Sequence, residues 1–307
     1  MTALEHRAGE LVQPDANQSD LAAATFLLRY RVESTRQSYA LALRQWFAWI
    51  RGHGIEPLAA QRAHIEAWTR DLEQHGLMAS TVAGKLGALA GYYRFAVIDD
   101  ILAKDPMLHI ERPKVPYEST TNGLNRSEFS KLLDAAAASN ARDHALICIL
   151  GLSGLRISEC LGIDIEHLGD ELGYKTIRVR RLKSGRQSVI SLAIRTAWAV
   201  ETYRAGRTTG PLFITNPPHG APNRLSRSYA DRIVKRLARD AGITKTISPH
   251  SLRHTFVTLS LDAGVSIRDV QNSTGHADPR MITYYDRARD SLSRNATHTL
   301  AAFMATT

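Results

Sequence analysis

A segment with two prolines, HIERPKVPY at residues 109–117, divides this 307-residue chain into two parts. The segment has no apolar periodicity, and Pro113 and Pro116 prevent it from continuing a helix. A chain of this length can bury the cores of two domains. The sequence therefore predicts a flexible tail at residues 1–18, a helical domain at 19–112, a linker at 113–120 and a second domain at 121–307.

Helical periodicity dominates the part before the linker. STRQSYALALRQWFAWI predicts a helix capped by Ser34 or Thr35. Amphipathic stretches also run from about Arg62 to His75 and through GLMASTVAGKLGALAGYYRFAV, which we expect to be capped near Ser80. The apolar side chains of the first helix that we expect in the core are Tyr39, Leu43, Trp46 and Ile50.

After the linker, the spacing of apolar residues changes from helical to strand-like and back. NRSEFSKLLDAAAA and ARDHALICILGLSG predict two helices, the second buried and ending at residues 151–154. TIRVRRLKSGRQSVISL predicts a β-hairpin that turns at Gly185, and a short strand follows around PLFI. RSYADRIVKRLARDAG returns to helical spacing. The predicted fold class is mainly α with a small antiparallel β-sheet, in two domains.

The formal net charge of +9 favours a polyanionic partner and points to nucleic acid, because clustered Lys and Arg release counterions from a phosphate backbone. The basic face of RSYADRIVKRLARDAG is either solvated or in contact with phosphate, and both alternatives stay open. The predicted DNA-binding residues are Arg36, Arg44, Lys85, Arg94, Arg232, Lys235, Arg236 and Arg239.

The cysteines and the hydropathy of the sequence limit the cellular compartment and the kinds of structural site that this chain can have. Cys148 and Cys160 lack Cys-x-x-Cys spacing, which fits a reducing cytoplasm and argues against a zinc site or a disulfide framework. No apolar run approaches membrane-spanning length, and the polar N-terminal segment does not have the pattern of a signal peptide. We therefore expect a cytoplasmic, nucleoid-associated protein with no membrane partner.

SPHSLRHTFVT allows two kinds of site. His250 and His254 are four residues apart, as a metal-binding pair would be, whereas His250 and Arg253 are three apart and could hold a phosphate. A zinc-hydrolase helix would have Glu where this chain has Ser251, and no carboxylate-rich segment accompanies a possible third ligand, His276. We therefore predict no metal. His-x-x-Arg also occurs in HIER, so residues elsewhere must support the phosphate interpretation.

Four further residues provide that support. Arg156, in GLSGLRISE, comes just after a glycine break at the start of a helix, and Lys183 lies in the hairpin turn. His276 and Tyr285 follow in TGHADPRMITYYDRA, nine residues apart. Taken singly, these are a surface arginine, a solvated lysine, an ordinary histidine and a packed tyrosine.

Together these residues meet the requirements of phosphodiester cleavage without metal. That reaction needs fixed positive charge on the non-bridging oxygens, a nucleophile, and a proton donor for the departing oxygen. Two arginines supply the charge, because guanidinium stays protonated and binds phosphate oxygens through two N–H groups. A tyrosine can be the nucleophile, and a lysine on a mobile turn can be the donor.

Arg, Lys, His-x-x-Arg, His and Tyr in this order, within GLSGLRISE, SPHSLRHTFVT and TGHADPRMITYYDRA, resemble the tyrosine recombinase (phage integrase) family. The resemblance covers nearly the whole chain and implies a core-binding (SAM-like) domain followed by a catalytic domain. It also implies the roles of the residues. Arg156 and Arg253 clamp the phosphate, Glu159 organises the pocket, Lys183 protonates the leaving 5′ hydroxyl, His250 assists proton transfer, His276 bonds a phosphate oxygen, and Tyr285 attacks.

The resemblance further implies a 3′-phosphotyrosyl link that needs no cofactor, neither ATP nor a divalent metal. Four protomers would assemble on double-stranded DNA carrying a specific recombination site and exchange strands through a Holliday junction. The apolar end of the chain, SLSRNATHTLAAFMATT, would dock into a neighbouring protomer as an oligomerisation helix, or else cover its own core. His254 becomes a supporting or packing residue, and Tyr284 is set apart from Tyr285 by spacing alone.

Other functions remain compatible with these motifs. A type IB topoisomerase shares the catalytic constellation but relaxes DNA, and a DNA-binding regulator could keep the fold without the activity. The intact catalytic set argues against the regulator, because DNA binding alone has no use for a tyrosine placed against a phosphate clamp. Phage integration, transposon movement and chromosome-dimer resolution all stay open as biological roles, as does the target sequence.

Overall fold

The computed structural model describes residues 17–115, 123–181, 185, 187–215, 221–275, 301 and 304. The chain forms two compact units, Met1–Pro116 and Tyr117–Thr307. Lys183, His276, Tyr284 and Tyr285 lie outside the described residues, as does most of the predicted N-terminal tail. Of the predicted C-terminal helix, Ala301 and Met304 are described, and both are helical.

The described part of the first unit is helical. Its elements are α1 (Gln18–Leu28), α2 (Glu33–Gly52), a 3-10 turn (Pro57–Ala59), α3 (Arg62–Gln74) and α4 (Ala79–Ile98). In the core, Trp46 Nε1 donates a hydrogen bond to Tyr93 Oη at 2.8 Å, and Tyr93 Oη donates to the Pro57 carbonyl at 2.7 Å. The predicted burial of Leu43, Trp46 and Ile50 is confirmed, whereas Tyr39 is partly buried.

The predicted helix caps of this unit were wrong. Helix α2 begins at Glu33 with Val32 as its N-cap, so Ser34 and Thr35 lie inside the first turn. Helix α4 begins at Ala79 after Met78, so Ser80 is also inside. In both cases, backbone hydrogen bonds start before the hydroxyl residue, as in the bond from the Thr81 amide to the Met78 carbonyl at 2.8 Å. The sequence patterns also did not identify helix α1.

The second unit combines helices with one small sheet. Its described helices are α5 (Arg126–Ser139), α6 (Ala141–Leu152), α7 (Ile157–Leu161), α8 (Ile194–Arg204), α9 (Arg227–Asp240), α10 (Pro249–Asp262) and α11 (Ile267–Thr274). A 3-10 turn, Ile165–His167, precedes the strands β1 (Leu168–Glu171), β2 (Tyr174–Arg180) and β3 (Gln187–Ser191). Helices α8 and α11 and strand β1 were not predicted from the sequence.

The three strands form an antiparallel sheet in the order β1-β2-β3. The predicted hairpin is confirmed by the register of β2 on β3, in which Arg180 pairs with Gln187. Gly185, between these two strands, has a φ of 67°, a left-handed value that glycine adopts without strain.

The strand predicted around PLFI was wrong. That segment makes isolated single-residue pairings, Asp164 with Pro211 and Ile214 with Arg224. Leu212 and Phe213 are consecutive and both fully buried, so this segment crosses the core without the alternation of a half-exposed strand.

Helix α6 is the centre of the second unit, with residues 145–150 all buried. Helices α5, α8 and α10 pack around it. The chain leaves α6 through Gly154, whose φ is 61°, and enters α7 with Arg156 as its N-cap. Within the described ranges, none of the helices combines the length and the apolar character needed to cross a membrane.

Candidate functional site

The first turns of α7, α9 and α10 surround an open pocket of about 810 Å³ in the second unit. It contains three of the residues singled out in the sequence: Arg156, His250 and Arg253. Arg227 and Asp231 of α9 also line this pocket, although the motifs did not point to them.

Arg156 is held at the rim of the pocket by Glu159. Its Nη1 donates to Glu159 Oε1 at 2.9 Å, and its backbone amide donates to Glu159 Oε2 at 3.0 Å. The guanidinium therefore has a fixed direction, while the Arg156 side chain keeps 24% of its surface exposed. Glu159 itself is buried.

Arg253 forms the buried wall of the pocket. It lies one turn into α10 and is 2% exposed. Its Nη1 donates to the Gly154 carbonyl at 2.6 Å and its Nη2 to the Thr274 carbonyl at 2.9 Å. Backbone oxygens from the turn before α7 and from the end of α11 thus orient one guanidinium group.

The end of α11 brings the chain back to both arginines. Helix α11 ends at Thr274, and Gly275 is left-handed with a φ of 62°. Arg156 Nη2 lies 3.5 Å from the Gly275 carbonyl, and Arg253 binds the Thr274 carbonyl. Gly275 therefore lies beside Arg156, and His276 follows it in the sequence.

Arg181 is a residue whose place in the site the motif analysis missed. It lies just after β2, is 4% exposed, and donates through Nη1 to Glu159 Oε2 at 3.2 Å. Nη1 also lies 3.3 Å from the Thr274 carbonyl, and Nη2 donates to the Ser273 carbonyl at 2.7 Å. The signal was present in the sequence, because Ile177, Val179 and Arg181 alternate and therefore share the buried face of the hairpin.

His250 lies in the first turn of α10 on the open side of the pocket. Partial desolvation lowers the pKa of its imidazole, and repulsion from the guanidinium groups of Arg253, Arg156 and Arg227 lowers it further. The neutral form of His250 is therefore favoured near neutral pH, so the imidazole can accept a proton or a hydrogen bond.

Ser251, the residue that argued against a metal-binding helix in the sequence, has a structural role at the start of α10. Ser251, where a zinc-hydrolase helix would have a glutamate, accepts the Ser248 amide at 3.1 Å and so caps α10. Across the described ranges, the structure has no group of three or more His, Cys, Asp and Glu side chains placed to hold a metal ion.

The basic residues predicted to contact DNA in the first unit differ in their surroundings. Arg44 and Arg94 are exposed. Arg36 forms an ion pair with Glu33, and Lys85 donates to the side chain of Gln45. Burial lowers the pKa of Lys85.

The basic residues of α9 are partly engaged within the second unit. Lys235 Nζ lies 2.7 Å from Asp231 Oδ2, and Arg239 Nε lies 4.0 Å from Asp240 Oδ1. The guanidinium of Arg232 lies 5.1 Å from the centre of the Tyr229 ring. Arg236 pairs with Asp143, which is fully buried, so part of the charge of α9 stabilises the fold.

Two family models match this chain. The model described as the phage integrase family matches residues 122–291, and the phage integrase N-terminal SAM-like domain matches residues 25–99. Together they include the pocket and most of the helical first unit.

Curated relatives of similar length also match. The tyrosine recombinase XerD of Chlorobaculum tepidum is 30% identical over 270 residues, which cover 83% of this chain and 87% of the relative. The tyrosine recombinase XerD of Caulobacter vibrioides is 32% identical over 241 residues, covering 74% of this chain and 76% of the relative.

Solved structures share the fold at low identity. A lambda integrase dimer bound to a COC′ core site has a TM-score of 0.72 at 17% identity, covering 95% of this chain and 83% of that chain. The Tn1549 transposon integrase in complex with transposon right end DNA has a TM-score of 0.70 at 20% identity, covering 92% of this chain and 99% of that chain.

Proposed function

Because this chain belongs to the phage integrase family of tyrosine recombinases, which are DNA strand-transferring enzymes, we propose that it recombines DNA at a specific site through a 3′-phosphotyrosyl intermediate. The observation that carries the proposal is the meeting of Arg156, His250 and Arg253 in one pocket. Arg156 comes from a part of the chain distant from His250 and Arg253, and together the three nitrogen-bearing side chains form a site suited to a phosphate diester.

Arg156 and Arg253 are the phosphate clamp in this proposal. Each guanidinium stays protonated, and each is oriented before DNA arrives, Arg156 by Glu159 and Arg253 by two backbone carbonyls. Charges held in place stabilise the extra negative charge of a pentavalent transition state without reorganising. His276 adds a hydrogen bond to a phosphate oxygen.

Tyr285 supplies the nucleophile and Lys183 the proton. The Tyr285 phenolic oxygen attacks the phosphorus and bonds to it, while the bond from phosphorus to the 5′ oxygen breaks. The phenol loses its proton with assistance from His250, whose neutral form its surroundings favour. Lys183 gives a proton to the departing 5′ oxygen. Attack by the 5′ hydroxyl of another strand reverses these steps, so rejoining needs no ATP.

The partner in this proposal is double-stranded DNA carrying a recombination site. The relatives are tyrosine recombinases, and the lambda and Tn1549 structures contain DNA. We propose that four copies of the chain pair two sites and exchange strands through a Holliday junction. The biological role would be integration, excision or resolution of mobile or phage DNA.

Trapping of the covalent intermediate tests this function. In nicked duplexes with a randomised core, cleavage releases a short fragment that begins with the free 5′ hydroxyl. This fragment diffuses away and cannot rejoin, so the protein stays attached and sequencing of the attached DNA identifies its site. Tyr285→Phe should abolish the adduct while preserving DNA binding, and Tyr284→Phe should retain it. If Tyr285→Phe still formed the adduct, the nucleophile would be Tyr284 or another residue.

A second experiment separates recombination from relaxation of DNA. The protein is incubated with paired copies of the recovered site and, separately, with supercoiled plasmid that lacks the site. A recombinase exchanges the paired sites and leaves the plasmid supercoiled. Relaxation of the plasmid without exchange would instead indicate a topoisomerase.

The C-terminal helix can be tested by deleting residues 298–307. We expect the shortened protein to bind DNA but to recombine less, because its copies are no longer linked. Normal recombination by the shortened protein would contradict docking between protomers.

A further inference from the structure

We propose that Arg181 is a positioning residue that joins the two arginines of the phosphate clamp into one unit. This inference rests on the proposed function, because it concerns the same pocket. The network runs through two shared acceptors, the Glu159 carboxylate and the Thr274 carbonyl.

The first shared acceptor links Arg181 to Arg156. Glu159 Oε1 accepts from Arg156 Nη1 at 2.9 Å, and Oε2 accepts from Arg181 Nη1 at 3.2 Å. Glu159 is 3% exposed and Arg181 is 4% exposed, so water screens their attraction poorly. Any displacement of Arg181 therefore changes the position of the carboxylate that directs Arg156.

The second shared acceptor links Arg181 to Arg253. The Thr274 carbonyl lies 3.3 Å from Arg181 Nη1 and 2.9 Å from Arg253 Nη2. Arg181 Nη2 also donates to the Ser273 carbonyl at 2.7 Å. Arg181 thereby fixes the end of α11, whose carbonyl orients Arg253.

The geometry requires the arginine fork. A lysine offers its donors from a single nitrogen, whereas Arg181 contacts Glu159 and Thr274 from Nη1 and Ser273 from Nη2, in a fixed planar arrangement. Gly275 packs directly on this guanidinium, and a Cβ at that position would lie 2.9 Å from Arg181 Nε. Two arginines paired with one carboxylate also leave an excess of positive charge, which suits an anionic phosphate.

The test compares Arg181→Lys and Arg181→Met with Arg180→Met, which removes the exposed arginine immediately before Arg181. The recovered recombination site is used as a nicked substrate at saturating protein. We expect both Arg181 variants to form the adduct more slowly, on the order of 10²-fold, because a small misplacement of the clamp is costly. Arg180→Met should keep the rate of the unchanged protein.

A methylphosphonate at the scissile position provides the decisive readout. This group lacks one negative oxygen, so cleavage depends less on the placement of the arginines. For each Arg181 variant, we expect the rate defect to shrink markedly on this substrate. A protein that was only partly folded would instead lose the same fraction of its rate on both substrates, and that result would overturn the proposal.

A double-mutant cycle between Arg181→Met and Glu159→Gln, measured by urea unfolding, tests the contact without activity. Coupling supports the network, and additive losses in stability would overturn it. Failure of the proposed function is a different result, in which the unchanged protein forms no adduct that depends on Tyr285. In that case the cycle can still show coupling between Arg181 and Glu159, but Arg181 has no catalytic role because the protein does not carry out the reaction.

Discussion

Arg253 donates a hydrogen bond of 2.6 Å from Nη1 to the backbone carbonyl of Gly154, so a residue of α10 fixes the turn that leads to Arg156. Gly154 has a φ of 61°, and a Cβ there would lie 2.4 Å from Phe256 Cδ1. The turn therefore tolerates neither a side chain nor an ordinary backbone conformation.

We expect Gly154→Ala to lower the free energy of unfolding by more than Gly173→Ala. Gly173 has a φ of 82°, but a Cβ added there would meet no atom within 4 Å, so it tests backbone strain alone. Strain costs about 1–3 kcal/mol at either glycine. The contact with Phe256 should add about 1–3 kcal/mol at Gly154. Urea unfolding measures both changes. Equal losses of stability would show that Phe256 can move away from the added methyl group without a loss of free energy.

Glu159→Gln should destabilise the protein and slow adduct formation. The buried carboxylate pairs with Arg156 and Arg181, and removing one member of a buried ion pair costs about 3–5 kcal/mol. Glu201→Gln is the matched control, because its ion pair with Arg204 at 2.9 Å leaves 40% of the Glu201 side chain and 33% of the Arg204 side chain exposed. Water screens such a pair, and it contributes less than about 1 kcal/mol. Thermal or urea unfolding compares the two variants. A similar small loss in both would exclude a structural role for the Glu159 charge.

Arg44→Gln and Arg94→Gln should weaken DNA binding in a manner that depends on salt. Both arginines are exposed, and each phosphate contact that is lost should reduce the slope of log K against log salt by about 1. Arg44→Lys keeps the positive charge, so its slope should stay unchanged. Binding titrations at several salt concentrations measure these slopes. An unchanged slope in Arg44→Gln would show that Arg44 does not contact the DNA phosphates.

His250 should titrate below the ordinary imidazole pKa. In the folded protein, desolvation is the largest cause that disfavours the protonated imidazole and lowers its pKa. Repulsion from the charges of Arg253, Arg156 and Arg227 lowers the pKa further. Below the unfolded pKa of about 6.5 the unfolded chain binds a proton that the folded chain resists, so stability is present above that pH and is lost as the pH falls below it. His250→Gln should show a shallower loss of stability between about pH 7 and pH 5.

The pKa of His250 can also be measured directly by NMR titration of the imidazole. Arg227→Gln removes one of the repelling charges and should raise this pKa toward its ordinary value. An imidazole that titrated at or above its ordinary pKa would contradict the arrangement of charges around the pocket.

Local patterns in the sequence predicted much of the fold but not its exact element boundaries. Apolar spacing located the core of α2 at Leu43, Trp46 and Ile50, and β-rich residues around a glycine turn located the hairpin. Ser34 and Ser80 misled the assignment of caps, because cap preferences are weak compared with the hydrogen bonds that extend a helix upstream. Helix α8 was missed, and its sequence has no strong amphipathic period.

The sequence by itself determined which residue types are present and in what order, and this order pointed to Arg156, His250 and Arg253 as one set. Only the tertiary structure decided how the set is held, with Glu159 and the Thr274 carbonyl each shared by two arginines. Spacing along the chain fixes local geometry over a few residues. Which carbonyl meets which guanidinium depends on how α6, α10 and α11 pack, and that packing sums contributions from the whole core.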